Sequence, residues 1–311
     1  MLLQTLINPK PKTIAYFAII SSIFMGLPYI INRTFCIHDL PLYPHWLLLI
    51  FSIFIVPLHA FGLNNLIYKN NIIKKENLII ATVFVLLNSL NTGVFDSLIS
   101  SFLMLFVINY LFESYQKDYP FKEVFSASLI LAIIVYLNPI MLIMYLLVLF
   151  SGLVFSYANW RSLVVSIIGF CIPYILYVIY LSLFSEKINI SLIFSLPQIS
   201  LNIEIWKWIN EETTSMLILL FIVLISFFEF FNWLYKKSIR SRKSFFIILL
   251  YFLFSLLICL FGSIDNWYIL ISPLSVFIAN YFTYTKNRSI ANILFYILII
   301  SSCYSRCAIV I

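Results

Sequence analysis

Between Phe95 and Phe184 the chain runs FDSLISSFLMLFVINYLFESYQKDYPFKEVFSASLILAIIVYLNPIMLIMYLLVLFSGLVFSYANWRSLVVSIIGFCIPYILYVIYLSLF: four apolar runs joined by a charged turn, an Asn-Pro break and an Asn-Trp-Arg turn. Each run is long enough, or nearly so, to cross a hydrocarbon layer about 30 Å thick, and the joints are too short to hold a soluble domain. The pattern continues over the whole chain, which is 63% hydrophobic and 10% charged with a mean hydropathy of +1.05. A soluble core cannot absorb that much apolar surface; globular domains carry about 25% charged residues. Continuous runs also exclude an outer-membrane barrel, whose strands alternate apolar and polar. The expected fold class is all-α, a polytopic transmembrane helical bundle of about eleven spans forming one integral membrane domain over residues 1–311.

Read by hydropathy, the spans are Thr13 to Ile31, Trp46 to Ile67, Leu78 to Leu90, Ser97 to Phe112, Val124 to Leu137, Ile140 to Ser156, Ser162 to Phe184, Thr213 to Tyr235, Ser244 to Phe261, Trp267 to Tyr284 and Ser289 to about Tyr304. The pair around the Asn91-Thr92-Gly93 turn is short, and reads either as two tilted spans or as a partly re-entrant hairpin. Residues 185–212 form an external interfacial segment. Alternating Ile and Leu there suit two short strands, and Trp206, Lys207 and Trp208 suit an interfacial helix equally well. No small-x-small cleavage site follows the first run, so it is expected to stay as the first span.

The net charge of +7 would suggest nucleic acid in a soluble protein; here its distribution is read against the membrane. With the amino terminus cytoplasmic and the carboxyl terminus external, all of the 19 Lys and Arg residues except Arg33, Lys187, Lys207 and Arg306 fall in cytoplasmic segments. Segments drawn from hydropathy alone thus reproduce the positive-inside asymmetry, which points to a bacterial inner membrane. The five cysteines show no metal-ligand spacing and no disulfide framework. No phosphate loop, zinc motif or Ser-His-Asp constellation is present, so neither a metal nor a cofactor is implied.

The acids sort to the external side: Asp39, Asp96, Glu186, Glu204, Glu211, Glu212 and Asp265. Asp39 lies in IHDLPLYPH between His38 and His45, a grouping suited to proton transfer. Asp96 and Asp265 each stand at the mouth of a span, where an acid also serves as a helix N-cap. Beside Asp265, Asn266, Trp267 and Tyr268 bring amide and aromatic surface suited to a sugar or headgroup. Glu229, inside FFEFFNW, is a carboxylate at membrane depth and a functional candidate by default, with the KKSIRSRK turn offering a partner. Arg161, beside Trp160 at the inner face, reads as an interfacial anchor or a phosphate clamp.

The central stretch, with EVFSASL, ANWRS and the NPKPKT start, resembles a family of uncharacterised polytopic inner-membrane proteins of Bacteroidota. That resemblance implies location and no activity. More distantly, the charged turn, the hairpin with Asn-Pro at its tip and the basic return are similar to the core of the GT-C membrane glycosyltransferases. Those enzymes use lipid-phosphate-linked sugars and place a catalytic acid in the first external loop, the position of Asp39. The loop here is shorter than theirs and lacks their paired acidic motif. The resemblance implies Asp39 as catalytic base. The residues themselves make Asp96, Asp265 and Trp267 the expected substrate-binding groups, with Arg161, or the Lys236 to Lys243 cluster, contacting phosphates at the inner face. The expected partners are membrane lipids, a lipid-linked saccharide and other membrane proteins, with no nucleic acid. A non-catalytic subunit or scaffold of an envelope complex is the alternative reading, and a transporter the third.

Overall fold

The computed structural model describes residues 2–31, 45–73, 77–90, 95–184, 213–234, 237–262 and 266–308. Among these residues the chain is helical without strands: α1 (Leu2–Ile7), α2 (Pro11–Ile31), α3 (His45–Lys69), α4 (Ile79–Leu87), α5 (Phe95–Glu113), α6 (Phe121–Leu137), α7 (Tyr145–Phe155), α8 (Trp160–Phe184), α9 (Thr213–Leu234), α10 (Ile239–Phe261), α11 (Trp267–Tyr284) and α12 (Arg288–Ala308). Two 3-10 turns, Asn88–Leu90 and Pro139–Met144, extend α4 and precede α7. Among the described residues, four stretches are long and apolar enough to cross a membrane: Asp96–Glu113, Trp160–Leu183, Ile239–Phe261 and Arg288–Arg306. The strand or helix reading of 185–212, the Asn91-Thr92-Gly93 turn, and both Asp39 and Asp265 lie outside the described residues.

α11 is the axle of the bundle. Every residue from Tyr268 to Thr283 is buried, so this helix has no lipid-facing side and is enclosed by its neighbours. Its Phe277 stacks on Phe227 of α9 at 4.7 Å and meets Phe230, Phe245 and Phe252 edge-on at 5.4 to 5.6 Å. α4 is enclosed almost as completely, with Ile79, Ile80, Ala81, Val83, Phe84, Val85 and Leu87 buried. Together with its 3-10 extension α4 rises about 20 Å, short of the hydrocarbon thickness, so it ends within the bundle.

α1 precedes the first apolar run, where the sequence gives no helical cue. Its six residues are too few for a period to show, and it is held by burial of Leu3, Leu6 and Ile7 and by Leu6 O accepting from Leu78 N at 2.9 Å. Prolines inside spans are compensated locally. Pro57 leaves Ile53 O without its helical donor, and the Ser22 hydroxyl of α2 donates to it at 3.4 Å. Asn138, extended before Pro139 as the proline ring demands, ends α6 and starts the 3-10 turn. The Asn-Pro break is therefore a six-residue 3-10 passage rather than a tight tip.

Candidate functional site

The ends of the helices carry different chemistry. At one end lie the basic termini. Lys69 pairs with Glu113 at 3.2 Å and Lys117 with Glu123 at 2.5 Å. Lys243 Nζ donates to Ser156 Oγ at 3.3 Å, and Arg240 lies over the Tyr115 ring. Arg288 donates to the carbonyls of Phe282 and Thr283, capping the last turn of α11. Arg161 belongs to this end, exposed in the first turn of α8. A shallow polar depression beside it is lined by Gln116, Lys117, Asp118, Tyr119, Phe155, Ser156 and Asn159. Burial would raise the Glu123 carboxyl, but the Lys117 hydrogen bond and charge outweigh it and hold it below its ordinary value.

The opposite end gathers the amide and aromatic groups. Asn138, at the end of α6, donates from Nδ2 to Oδ1 of Asn266 at 2.6 Å, and Asn266 immediately precedes Trp267 at the start of α11. Cys259 of α10 donates to Asn266 O at 3.4 Å. Gly262 is required here by close approach: a methyl on it would stand 2.4 Å from Asn266 Nδ2 and 2.7 Å from Ile258 O. α5 joins the same end, since the Ser101 hydroxyl donates to Tyr268 O at 3.1 Å. Asp96, half-buried, lies five residues before Ser101, about 7 Å along the helix. Of the residues expected to bind substrate, Asp96 and Trp267 thus share one end of the bundle and Arg161 occupies the other.

Between the two ends lies a polar cluster that the sequence reading did not identify. His59 Nε2 of α3 and Ser272 Oγ of α11 are 3.0 Å apart, and Ser272 Oγ is 3.3 Å from Ser101 Oγ of α5. The Tyr251 hydroxyl of α10 is also buried, without a hydrogen-bond partner among the described residues. The four side chains are buried, with the His59 ring packed on Phe84 at 4.4 Å. The available signal was a histidine inside the apolar run FIVPLHAFGL, since an ionisable residue at such depth is rarely incidental. The three hydroxyls give no such signal individually.

Arg306, one of the four basic residues that fell outside the cytoplasmic segments, is also buried. It donates to Met25 O at 2.9 Å and to Ser89 O at 3.4 Å. Ser89 belongs to the 3-10 extension of α4, whose last carbonyls have no helical donors, so a guanidinium complements both the free oxygens and the negative end of the helix. Glu229 is half-buried on α9.

Chemically, this end presents the half-buried Asn138 amide and Trp267 indole, with Asn266 buried behind them, and Asp96 stands half-buried at the same end. No family model, curated protein or solved structure matches the chain.

Proposed function

We propose that the chain is a multi-pass protein of the bacterial inner membrane that handles lipid-linked sugars or envelope glycan precursors. In this reading α2 to α12, with α4 and α5 as a partly re-entrant hairpin or a pair of short tilted spans, place the amino terminus in the cytoplasm and the carboxyl terminus outside, on a GT-C-like scaffold. The topology is supported by the gathering of Lys69, Lys117, Arg161, Arg240, Lys243 and Arg288 at one end, as the positive-inside rule requires. The observation that carries the site is the 2.6 Å contact between Asn138 and Asn266, residues 128 apart in sequence, beside Trp267 and at the end that holds Asp96. Asp39 is the proposed base and Asp265 a substrate ligand. Arg161 serves the inner face as a phosphate contact or membrane anchor.

The test is binding and turnover of a radiolabelled polyprenyl-phosphate sugar by the reconstituted protein. Asp39→Asn is expected to abolish turnover while leaving binding, and Asp96→Asn to weaken binding. Absence of saturable binding by the unmodified protein refutes the reading. The alternative, a non-catalytic subunit of an envelope complex, draws on α8, where only 17% of the apolar window is buried within the chain. It predicts a membrane protein that copurifies stoichiometrically and cross-links to α8.

A further inference from the structure

α6 and α8 cross at Gly169, where a methyl group would stand 2.3 Å from Ser128 Oγ and 2.8 Å from Phe125 O. At the basic end both helices begin on the edge of the polar depression described above, a hollow of about 830 Å³. The turn before α6 lines it with Gln116 to Tyr119, and the turn before α8 with Phe155, Ser156 and Asn159.

The charges around this hollow do not balance. Lys117 is paired with Glu123. Among the described residues, however, Lys243 has only the Ser156 hydroxyl at 3.3 Å and Arg240 only the face of the Tyr115 ring, while Lys122 and Arg161 are exposed with no carboxylate in ion-pair reach. Four cations thus stand against Asp118, the one unpaired acid of the lining. α6 starts at Pro120 without a side-chain cap, so the positive end of its dipole adds to the excess. The positive-inside rule accounts for cations at this end of the bundle, but not for four of them around one hollow.

We infer that the hollow seats the headgroup of an anionic phospholipid, drawn from the leaflet that meets the basic end. The inference stands apart from the sugar reading, since it concerns the opposite end of the bundle and requires only a bilayer surface there. Charge selects the phosphate: its oxygens accept hydrogen bonds from ammonium and guanidinium groups, and basic pockets between spans hold anionic headgroups in this way. Position selects a lipid over a soluble anion. Only 17% of the apolar window of α8 is buried, so the helix that borders the hollow also borders hydrocarbon. Trp160 and Tyr119, beside the hollow, are 71% and 67% exposed, and such rings sit at headgroup depth. The glycerol and upper acyl chains of a lipid would pack on them, whereas a soluble anion gains nothing from the contact.

The full chain, purified in a neutral detergent, is titrated with phosphatidylglycerol and, separately, with phosphatidylethanolamine, and the lipid-bound species are resolved by native mass spectrometry. One phosphatidylglycerol is expected to be held about tenfold more tightly than phosphatidylethanolamine. Arg161→Gln combined with Lys243→Gln should erase that preference; Lys243→Gln alone, the second variant should the pair fail to fold, should weaken phosphatidylglycerol about fivefold. Lys10→Gln combined with Lys12→Gln takes two exposed charges from the start of α2 and should leave the preference unchanged. Equal retention of the two lipids overturns the inference. So does an equal loss in the Lys10 and Lys12 variant, because the preference then follows net charge rather than the hollow. Displacement of phosphatidylglycerol by excess inorganic phosphate also overturns it, and gives the hollow to a soluble anion.

Discussion

Gly169→Ala is the sharpest test of the α6–α8 crossing. In an open helix this substitution is favourable, since Ala exceeds Gly in helix propensity by about 1 kcal/mol. At Gly169 the added carbon meets Ser128 Oγ at 2.3 Å, Phe125 O at 2.8 Å and Phe125 Cδ2 at 3.2 Å. Ser128 has some room to turn, but its hydroxyl already donates to Val124 O and Phe125 O at 2.9 and 3.0 Å. The Phe125 carbonyl is backbone and moves only if α6 moves. Relief therefore separates the helices by several tenths of an ångström, and overpacking of this kind costs about 1–3 kcal/mol. Net of propensity, a loss of up to about 2 kcal/mol is expected, and Ser128→Ala should recover only part of it because the Phe125 contact remains. Gly152 is the control, since a methyl there has no neighbour nearer than 3.4 Å, so Gly152→Ala should be neutral or stabilising. SDS-titrated unfolding of the purified protein, followed by tryptophan fluorescence, measures both. If Gly169→Ala proves as stable as Gly152→Ala, the close crossing is wrong.

Three further outcomes follow from the packing and the charges. Phe277→Ala, in the ring cluster on α11, is expected to lose about 3 kcal/mol or more through the cavity it leaves, as measured in the same titration. Arg306→Met strands the carbonyls of Ser89 and Met25 and should cost about 2–4 kcal/mol, with Arg306→Lys intermediate because one ammonium cannot span both oxygens as well. The Glu123 carboxyl is held below its ordinary 4.5 by Lys117, so its contribution is complete above that value and is lost as pH falls through the lower folded value. Thermal stability measured from neutral pH into this acid range should fall more steeply for the unmodified protein than for Glu123→Gln.

The helices were legible because span length and hydropathy are properties of contiguous residues. Ser162 to Phe184, drawn from the sequence, is helix from Trp160 to Phe184, and the reading of Trp267 to Tyr284 coincides with α11. The grouping of Asn138 with Asn266 was not legible, because it joins residues 128 apart through contact alone. His59, Ser101 and Ser272 escaped for the same reason: each is a single polar residue in an apolar run, and no local period says which face it occupies. Charge was informative where it was exposed. Arg306 looked like an exception to the positive-inside pattern, whereas its burial against the end of α4 gives it a separate structural reason. Asp39 and Asp265 were singled out from loop context, and both lie outside the described residues.

The enclosure of α11 has a consequence for biosynthesis. The helix around which the others pack is made late: Ser272 leaves the ribosome 213 residues after His59 and 171 after Ser101, its two partners. Spans inserted earlier must wait in the bilayer with those polar groups unmatched and the axial space filled by lipid or by one another. Final assembly is therefore post-insertional, and a nascent chain halted before Trp267 should remain a loose, protease-sensitive set of helices and a natural client for membrane chaperones.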